Sequence, residues 1–500
     1  MNGFKKIGIF LNNDPSWGGQ YQYTLNVLGA LSYYSQHNQI EIVGIYTFEF
    51  WSKIIENYGI SGVYLTQKGA NVVKAIHKLD CDMIISTSEG MMLNEYVPDI
   101  PFVSVIHDLM YYYNREKYEI NEIDREIRRR MYYKICANSE GIIVDSITGK
   151  KQVVELFGKS CEDNIFVQPF TISEELLNAK SVSDSELSFL ERIPEKYLYY
   201  PAAIRKEKNH RRLIEAVANL RRCGMDINVV LTGNPGDDYD YVMSMIREKN
   251  VSDLFTYLDF VSDEKISYLY KHARAMVFPT MSGPTNIPPI EAMAFGCPMA
   301  VSDVGEMSVQ VGNAGILFDP FSVEDICDAI NRLWMDDELC KHLQSECQKR
   351  FSAYFSIDRF NENYSSIVDE CLERIDKREK RLRNLVEFLE NKRTICYGAG
   401  QNAWVLSEFL NAKGIEVDLY IDNRLKCQEY MGRPVFQYKH FLEIDNIPKS
   451  VTAIVVSVPE DAANKIEKEL YMDGYKNVLV VDKQLAWELF CREKKYPSFL

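Results

Sequence analysis

The sequence predicts an α/β protein in which two doubly wound parallel-sheet units precede a smaller third unit of the same class. Three observations carry this. Short apolar runs alternate with helix-patterned segments along the chain, the arrangement that buries a parallel sheet on both faces. A polar, serine-rich stretch at 173–188 precedes a fresh apolar run at 197–201, where the alternation restarts. Near the end, an apolar run enters Gly398-Ala-Gly400-Gln-Asn-Ala403, a glycine turn of the kind that joins a strand to a helix.

In the first unit, residues 7–11, 40–46, 83–86, 102–106 and 141–145 read as buried strands. Helical patterns such as 20–34 and 125–137 separate them. The second unit repeats the pattern with strands at 197–201, 227–231, 255–260, 275–278, 299–301 and 315–318, and residues 355–372 read as its closing helix. Residues 373–393 are rich in Lys, Arg and Glu with few apolar positions; a solvated linker helix and a membrane-docking helix both fit. The third unit reads as strand 394–397, the glycine turn, a helix to Lys413, strand 416–421, Asp422, and strands at 453–457 and 478–481. The expected domains are 1–175, 176–372 and 394–500, with the linker at 373–393.

Composition agrees. Five hundred residues exceed what one hydrophobic core organises. Apolar residues at 46% and charged residues at 26% are ordinary for a globular chain. A net charge of −15 argues against nucleic acid as the main partner, because phosphate backbones require a basic footprint. The twelve cysteines show no C-x-x-C pair and no Cys/His grouping of metal-ligand spacing. They read as buried thiols of a reducing compartment, and no metal site is expected. After Lys5 and Lys6 the apolar run ends at Leu11, too short for a signal peptide, and no run approaches bilayer-spanning length. A cytoplasmic protein is expected, with peripheral contact at the inner face of the cell membrane left open.

The most informative segment is 275–307. An apolar strand runs into a Pro/Gly/Asn loop, then a short helix opened by Pro288 and Pro289 and closed by Gly296, then a second apolar strand. A loop that feeds a helix N-terminus at a strand end offers free N–H groups and the positive end of the helix dipole, a seat for phosphate. The same residues also read as an ordinary βαβ crossover. Gly18 and Gly19, between Trp17 and a helix near Gln20, let the backbone approach a phosphate closely, or simply serve a βα turn. His107 and Asp108 follow an apolar strand at its carboxyl end, where open α/β sheets bind ligands. A buried, hydrogen-bonded core histidine is the alternative. Lys208 falls early in a helical pattern, unfavourable for the dipole unless an anion sits beside it. Arg125, Arg128, Arg129, Arg130 and Lys134 share one helix, a solvated face or a contact with anionic lipid. Tyr111, Tyr112 and Tyr113 stack on an acceptor sugar or form core edges.

Five stretches in order resemble one family. They are GIFLNNDPSWGGQYQY (8–23), VSVIHDLMY (103–111), YYPAAIRKEKNHRRLIEA (199–216), ISYLYKHARAMVFPT (266–280) and PTNIPPIEAMAFGCPMAVSDVGEM (284–307). Together they resemble the retaining GT-B glycosyltransferases of family 4 over about residues 1–375. The resemblance implies two Rossmann-like domains facing a cleft. It implies metal-independent transfer of a hexose from a nucleoside-diphosphate sugar to a saccharide or lipid-linked saccharide, in surface polysaccharide synthesis. It implies that Gly18, Gly19, Arg205, Lys208, Asn209, Thr285, Asn286, Ile287 and Glu291 bind the donor. In the family, the residue matching Lys208 neutralises the diphosphate, that matching Glu291 holds the ribose hydroxyls, and those matching His107 and Asp108 lie by the reaction centre. No cofactor is implied; the donor base (uridine, guanosine or thymidine) stays open. Alternatives are a GT-B nucleotide-sugar epimerase and a non-catalytic nucleotide-sugar-binding scaffold.

Two positions depart from the family. Gly283 stands where a glutamate is usual, and Ala202 and Ala203 stand where an arginine is usual, with Arg205 as a displaced substitute. The third unit resembles the Rossmann-like nucleotide-binding domains of some sugar-modifying enzymes. Gly398, Gly400, Ala403 and Asp422 are then its candidate nucleotide residues. A degenerate packing domain and a dinucleotide oxidoreductase module are the other readings.

Overall fold

The computed structural model describes residues 6–15, 18–65, 70–88, 100–109, 112, 122–182, 187–283, 285–482, 485–486 and 489. Lys5, Trp17, Tyr111, Tyr113 and Pro284, named above, lie outside the described residues. The chain divides into two compact units, one built from residues 2–91 and 102–369 and one carried by residues 370–500.

The first unit holds two parallel sheets. Strands β1 (Lys6–Leu11), β2 (Glu41–Tyr46), β3 (Ser61–Tyr64), β4 (Met83–Ser86), β5 (Phe102–Val105), β6 (Gly141–Val144) and β7 (Ile165–Val167) lie in the order 3-2-1-4-5-6-7. Strands β8 (Leu198–Pro201), β9 (Val229–Thr232), β10 (Phe255–Tyr257), β11 (Ala275–Phe278), β12 (Met299–Ser302) and β13 (Gly315–Phe318) lie in the order 10-9-8-11-12-13. Strands β4, β5, β6, β9, β11 and β12 are buried along their whole length, as a sheet covered on both faces requires. In the second lobe, Leu213, Ile214 and Val217 of helix His210–Arg222 recur at helical spacing and pack into the core of that sheet. Both strand orders reverse next to their first strand, between β1 and β4 and between β8 and β11. Connections leaving the carboxyl ends on either side of a reversal diverge and leave a crevice.

The start of the long helix Ile357–Leu389 returns to the first lobe, where the Tyr34 hydroxyl donates to Asp369 Oδ1 at 2.7 Å. This helix is continuous, where the sequence reading expects a closing helix to 372 and a separate charged linker. Nor is its second half merely solvated: Leu382, Leu385 and Leu389 are buried in the core of the second unit. Three leucines at helical spacing suffice for a buried stripe, although charged residues outnumber them.

The second unit holds β14 (Arg393–Tyr397), β15 (Leu419–Ile421), β16 (Glu429–Tyr430), β17 (Arg433–Phe436), β18 (Thr452–Val456) and β19 (Asn477–Val480), in the order 16-17-15-14-18-19. All pair in parallel except the hairpin β16–β17.

Candidate active site

Loops from the carboxyl ends of both sheets of the first unit enclose two adjoining cavities, of about 510 and 650 Å³. Gly18, Gly19, Pro201, Ala202 and Ile287 line both. The smaller also takes His107, Asp108, Arg205, Lys208, Gly283, Thr285 and Asn286, and the larger takes Glu291. Of the donor-site residues expected from sequence, Asn209 alone lines neither cavity.

Gly18 follows the loop after β1 with φ +58°, a backbone that favours glycine, and precedes helix Gly19–His37. Among the described residues no side chain caps that helix, and its first turn carries no acid. Its leading N–H groups and the dipole therefore face the crevice uncompensated. A β-carbon on Gly19 would lie 3.6 Å from Ile287 Cδ1 of the other lobe.

Lys208 closes the short 3₁₀ turn Lys206–Lys208 that follows β8, and helix His210–Arg222 begins beyond it. It is thus outside the α-helix in which the sequence reading places it, because Asn209 takes a left-handed backbone, φ 60°, and separates the two. The Tyr200 hydroxyl donates to the Lys208 carbonyl. Asn209 is buried, and its amide is fully spent: Nδ2 donates to the carbonyls of Pro279 (2.9 Å) and Pro320 (2.8 Å), and Oδ1 accepts from Arg212 (3.1 Å). It ties three loops together, leaving no donor for a ligand. The Lys208 ammonium lies 5.6 Å from the centre of the Phe278 ring and has no ion-pair partner among the described residues. Burial draws its pKa below the ordinary lysine value and the Arg205 charge adds to this, while Glu207 and Asp108 oppose it. A half-buried ammonium with unmet donors is an anion site in waiting.

His107 follows β5 by two residues. Its Nε2 contacts the Thr87 carbonyl at 3.3 Å, so that nitrogen carries the proton and Nδ1 is left as an acceptor. The Tyr23 ring meets it edge-on at 4.9 Å. Burial lowers its pKa to about 4, which keeps the imidazole neutral at physiological pH. Asp108, beside it, is exposed.

The 282–291 segment differs from expectation in its details. Helix Ile287–Ala294 carries prolines at its second and third positions, so only Ile287 and Ile290 of its first four residues offer N–H groups. The N–H of Asn286 is taken by Gln310 Oε1 at 3.0 Å. This end supplies dipole more than donors. Asn286 occupies the cap position but its side chain caps nothing. Gly283 has φ +99°, and a β-carbon there would lie 2.8 Å from Asn286 Nδ2; a glutamate in this loop would strain the backbone and displace the Asn286 side chain. Glu291 lies past the first turn of this helix, too far along to compensate its dipole. The Tyr270 hydroxyl donates to its Oε2 at 2.7 Å, and burial raises its pKa to about 7.

Asp145 is a crevice residue that sequence reasoning passed over. It directly follows β6, lines the smaller cavity, and accepts a hydrogen bond from the Thr285 hydroxyl of the other lobe. Nearby, Glu306 of the second lobe accepts from the Thr148 N–H at 2.7 Å. The only sequence signal was an acid at the end of an apolar run.

In the second unit, Gly398 has φ +109°, and Ala403 is buried in helix Gln401–Ala412, which Gly400 precedes. Asp422 is occupied: Oδ2 accepts from the Ala399 N–H (3.0 Å) and Oδ1 from the N–H groups of Arg424 (2.8 Å) and Leu425 (3.0 Å). The Tyr430 hydroxyl donates to the Gly400 carbonyl at 3.0 Å. These bonds engage the Ala399 N–H and the Gly400 carbonyl, while helix Gln401–Ala412 starts with no cap from Gly400 and no acid in its first turn.

Residues 186–350 match the family described as glycosyl transferases group 1. The O-antigen chain mannosyltransferase B of Escherichia coli is 31% identical over 142 residues, which is 28% of this chain and 37% of that protein. The alpha-D-kanosaminyltransferase of Streptomyces kanamyceticus is 27% identical over 34% of this chain and 45% of that one. The chain thus spans less than half the length of these two curated relatives. Among solved structures, sucrose-phosphate synthase from Thermosynechococcus elongatus aligns with TM-score 0.61 at 18% identity, over 74% of this chain and 99% of that one. Anabaena HepE in complex with UDP-glucose aligns with TM-score 0.59 at 16% identity, over 73% and 99%. The fold of the first unit is that of GT-B glycosyltransferase structures.

Proposed function

We propose that the first unit is a retaining, metal-independent glycosyltransferase that moves a hexose from a nucleoside-diphosphate sugar to a saccharide or lipid-linked saccharide, in the synthesis of a surface polysaccharide. One observation carries the reading: the Lys208 ammonium and the helix end at Gly18–Gly19, unpaired and uncapped among the described residues, line one cavity with His107. Breaking the anomeric bond leaves charge on the departing diphosphate. Fixed donors and dipoles aimed at that charge lower the barrier without reorganising. Glu291, in the adjoining cavity, is suited to accept hydrogen bonds from ribose hydroxyls. The leaving phosphate oxygen takes the acceptor's proton on the face from which it departs, which preserves the anomeric configuration. Neutral His107 offers Nδ1 to a sugar hydroxyl. The O-antigen mannosyltransferase relative supports the polysaccharide setting, and the UDP-glucose complex of HepE supports a nucleotide sugar as donor.

The test is a panel of UDP-, GDP- and dTDP-sugars, scored by thermal shift and by transfer. Lys208→Ala should lower transfer by about two to three orders of magnitude with the melting temperature nearly unchanged, and EDTA should leave transfer intact. An unaltered rate in Lys208→Ala would sink the reading. Membrane contact has its own support: helix Glu122–Asn138 exposes Ile123 (73%) and Ile127 (53%), one turn apart, on the arginine-rich helix. Sedimentation with anionic vesicles should fall on Ile123→Asp/Ile127→Asp; equal sedimentation of variant and unmodified chain would refute the contact.

A further inference from the structure

Asp145 is 5% exposed, and the fold offers its charge only the hydroxyls of Thr285 and Ser146. Among the described residues no lysine or arginine pairs with it, and the charges that act on it, Asp108 and Glu306, are themselves acidic. One oxygen, Oδ2, accepts from the Thr285 hydroxyl across the crevice. The other, Oδ1, is buried without a hydrogen-bond partner. An uncompensated buried carboxylate is costly, and burial pushes this one up to about 7.

The obvious structural job, capping the helix that follows, is taken by others. Ser146 Oγ accepts from the Gly149 N–H at 3.0 Å and Glu306 Oε1 accepts from the Thr148 N–H at 2.7 Å, which serves the first turn of helix Ile147–Phe157. Asp145 takes neither of those amides, although the Ser146 hydroxyl acts on its carboxylate. It does line the 510 Å³ cavity that also holds His107, Lys208 and Thr285. A buried acid with no cation beside it among the described residues and one oxygen without a hydrogen-bond partner, in the wall of a polar cavity, is suited to something that enters the cavity.

We propose that Asp145 is a ligand-binding residue, held in place by Thr285, that accepts a hydrogen bond from a sugar hydroxyl bound beside His107. The assignment rests on the transfer reading above. The hydroxyl belongs either to the transferred sugar or to the acceptor. Ionised, the carboxylate accepts from a hydroxyl more strongly than a neutral amide does, which selects for a polyol over a deoxygenated sugar at that position.

The experiment uses the full chain and its Asp145→Asn and Thr285→Val variants, with GDP-mannose and UDP-glucose against bare GDP and UDP in calorimetric titrations, and melting curves as the folding check. Asp145→Asn should weaken binding of the sugar nucleotide by roughly ten- to hundredfold and leave the bare nucleotide within about twofold, if the hydroxyl is the donor's. If it is the acceptor's, both affinities hold and the acceptor KM rises by a similar factor at unchanged donor KM. Thr285→Val should reproduce the same pattern at reduced size, because it frees the carboxylate without removing it. Unchanged titrations and an unchanged acceptor KM in a folded Asp145→Asn overturn the assignment while leaving the transfer reading intact. Absence of binding by the unmodified chain overturns both.

Discussion

The chain places a glycine turn between strand and helix at the switch point of two of its sheets, and the two turns end differently. After β1, Gly18 opens a helix whose first turn no side chain caps among the described residues, at the edge of a cavity. After β14, Gly398-Ala-Gly400 opens a helix too, but Asp422 reaches back to the Ala399 N–H and Tyr430 holds the Gly400 carbonyl. Neither helix is capped by its own cap residue or carries an acid in its first turn; the turns differ in their surroundings, a cavity beside Gly18 and the Asp422 carboxylate on the Ala399 N–H. Sequence form is shared by both, so function lies in what the neighbouring strand ends contribute.

Substitutions sharpen this contrast, and the largest effect belongs to the closed turn. A β-carbon on Gly398 would lie 2.8 Å from Val458 Cγ1 and 3.0 Å from the Ser457 carbonyl oxygen, in a backbone that favours glycine. Gly398→Ala should therefore cost about 2–4 kcal/mol of stability in chemical denaturation, with sugar transfer by the folded protein unaltered.

The two acids should behave oppositely. Asp422→Asn removes carboxylate acceptors from three N–H groups and should destabilise by about 1–2 kcal/mol. Glu291 instead has its pKa raised to about 7, so the folded state holds a proton that the unfolded chain releases near pH 4.5. Its effect on stability is nil below that, turns unfavourable as pH rises to about 7, and is constant above. Glu291→Gln should leave the melting temperature unchanged at pH 4 and raise it at pH 8, by the equivalent of about 1–3 kcal/mol. Equal shifts at both pH values would break the contrast.

The smallest effect is at the open turn. Gly18 also has positive φ, but a β-carbon there meets nothing within 4 Å. Gly18→Ala should cost about 1 kcal/mol of stability and weaken donor binding. A transfer defect in Gly398→Ala larger than in Gly18→Ala would invert the assignment of roles.

Much of the fold was legible because buried strands announce themselves. The expected bounds of β4, β11 and β13 match those observed, each an apolar run with sharp ends. Strand β3 was not legible: Ser-Gly-Val-Tyr sits at a sheet edge with most of its side chains exposed, so no apolar run marks it. The hairpin β16–β17 hid behind its turn, where Met431 adopts φ 51° ahead of Gly432 at 74°, a conformation usually signalled by Asn or Asp. The long helix was misread because three buried leucines were outnumbered by charges.

The site was legible where glycines, proline-opened helices and strand ends fix position, as at Gly18, His107 and Thr285. It was not legible where a side chain's task depends on a distant partner. Asn209 stands in a promising Lys-Asn-His string, yet Pro279 and Pro320, far along the chain, consume its amide. Asp145 looked like the last residue of a strand until Thr285 arrived from the other lobe. Neither long-range pairing leaves a local pattern to read.

The bond between Glu306 and the Thr148 N–H makes one lobe the terminator of a helix in the other. Any widening of the gap between the sheets at that point must strip the carboxylate from helix Ile147–Phe157 and expose its leading amides to water. Crevice breathing is thereby written into the hydrogen-exchange rate of a single backbone amide, so Thr148 is a built-in reporter of how often the protein opens.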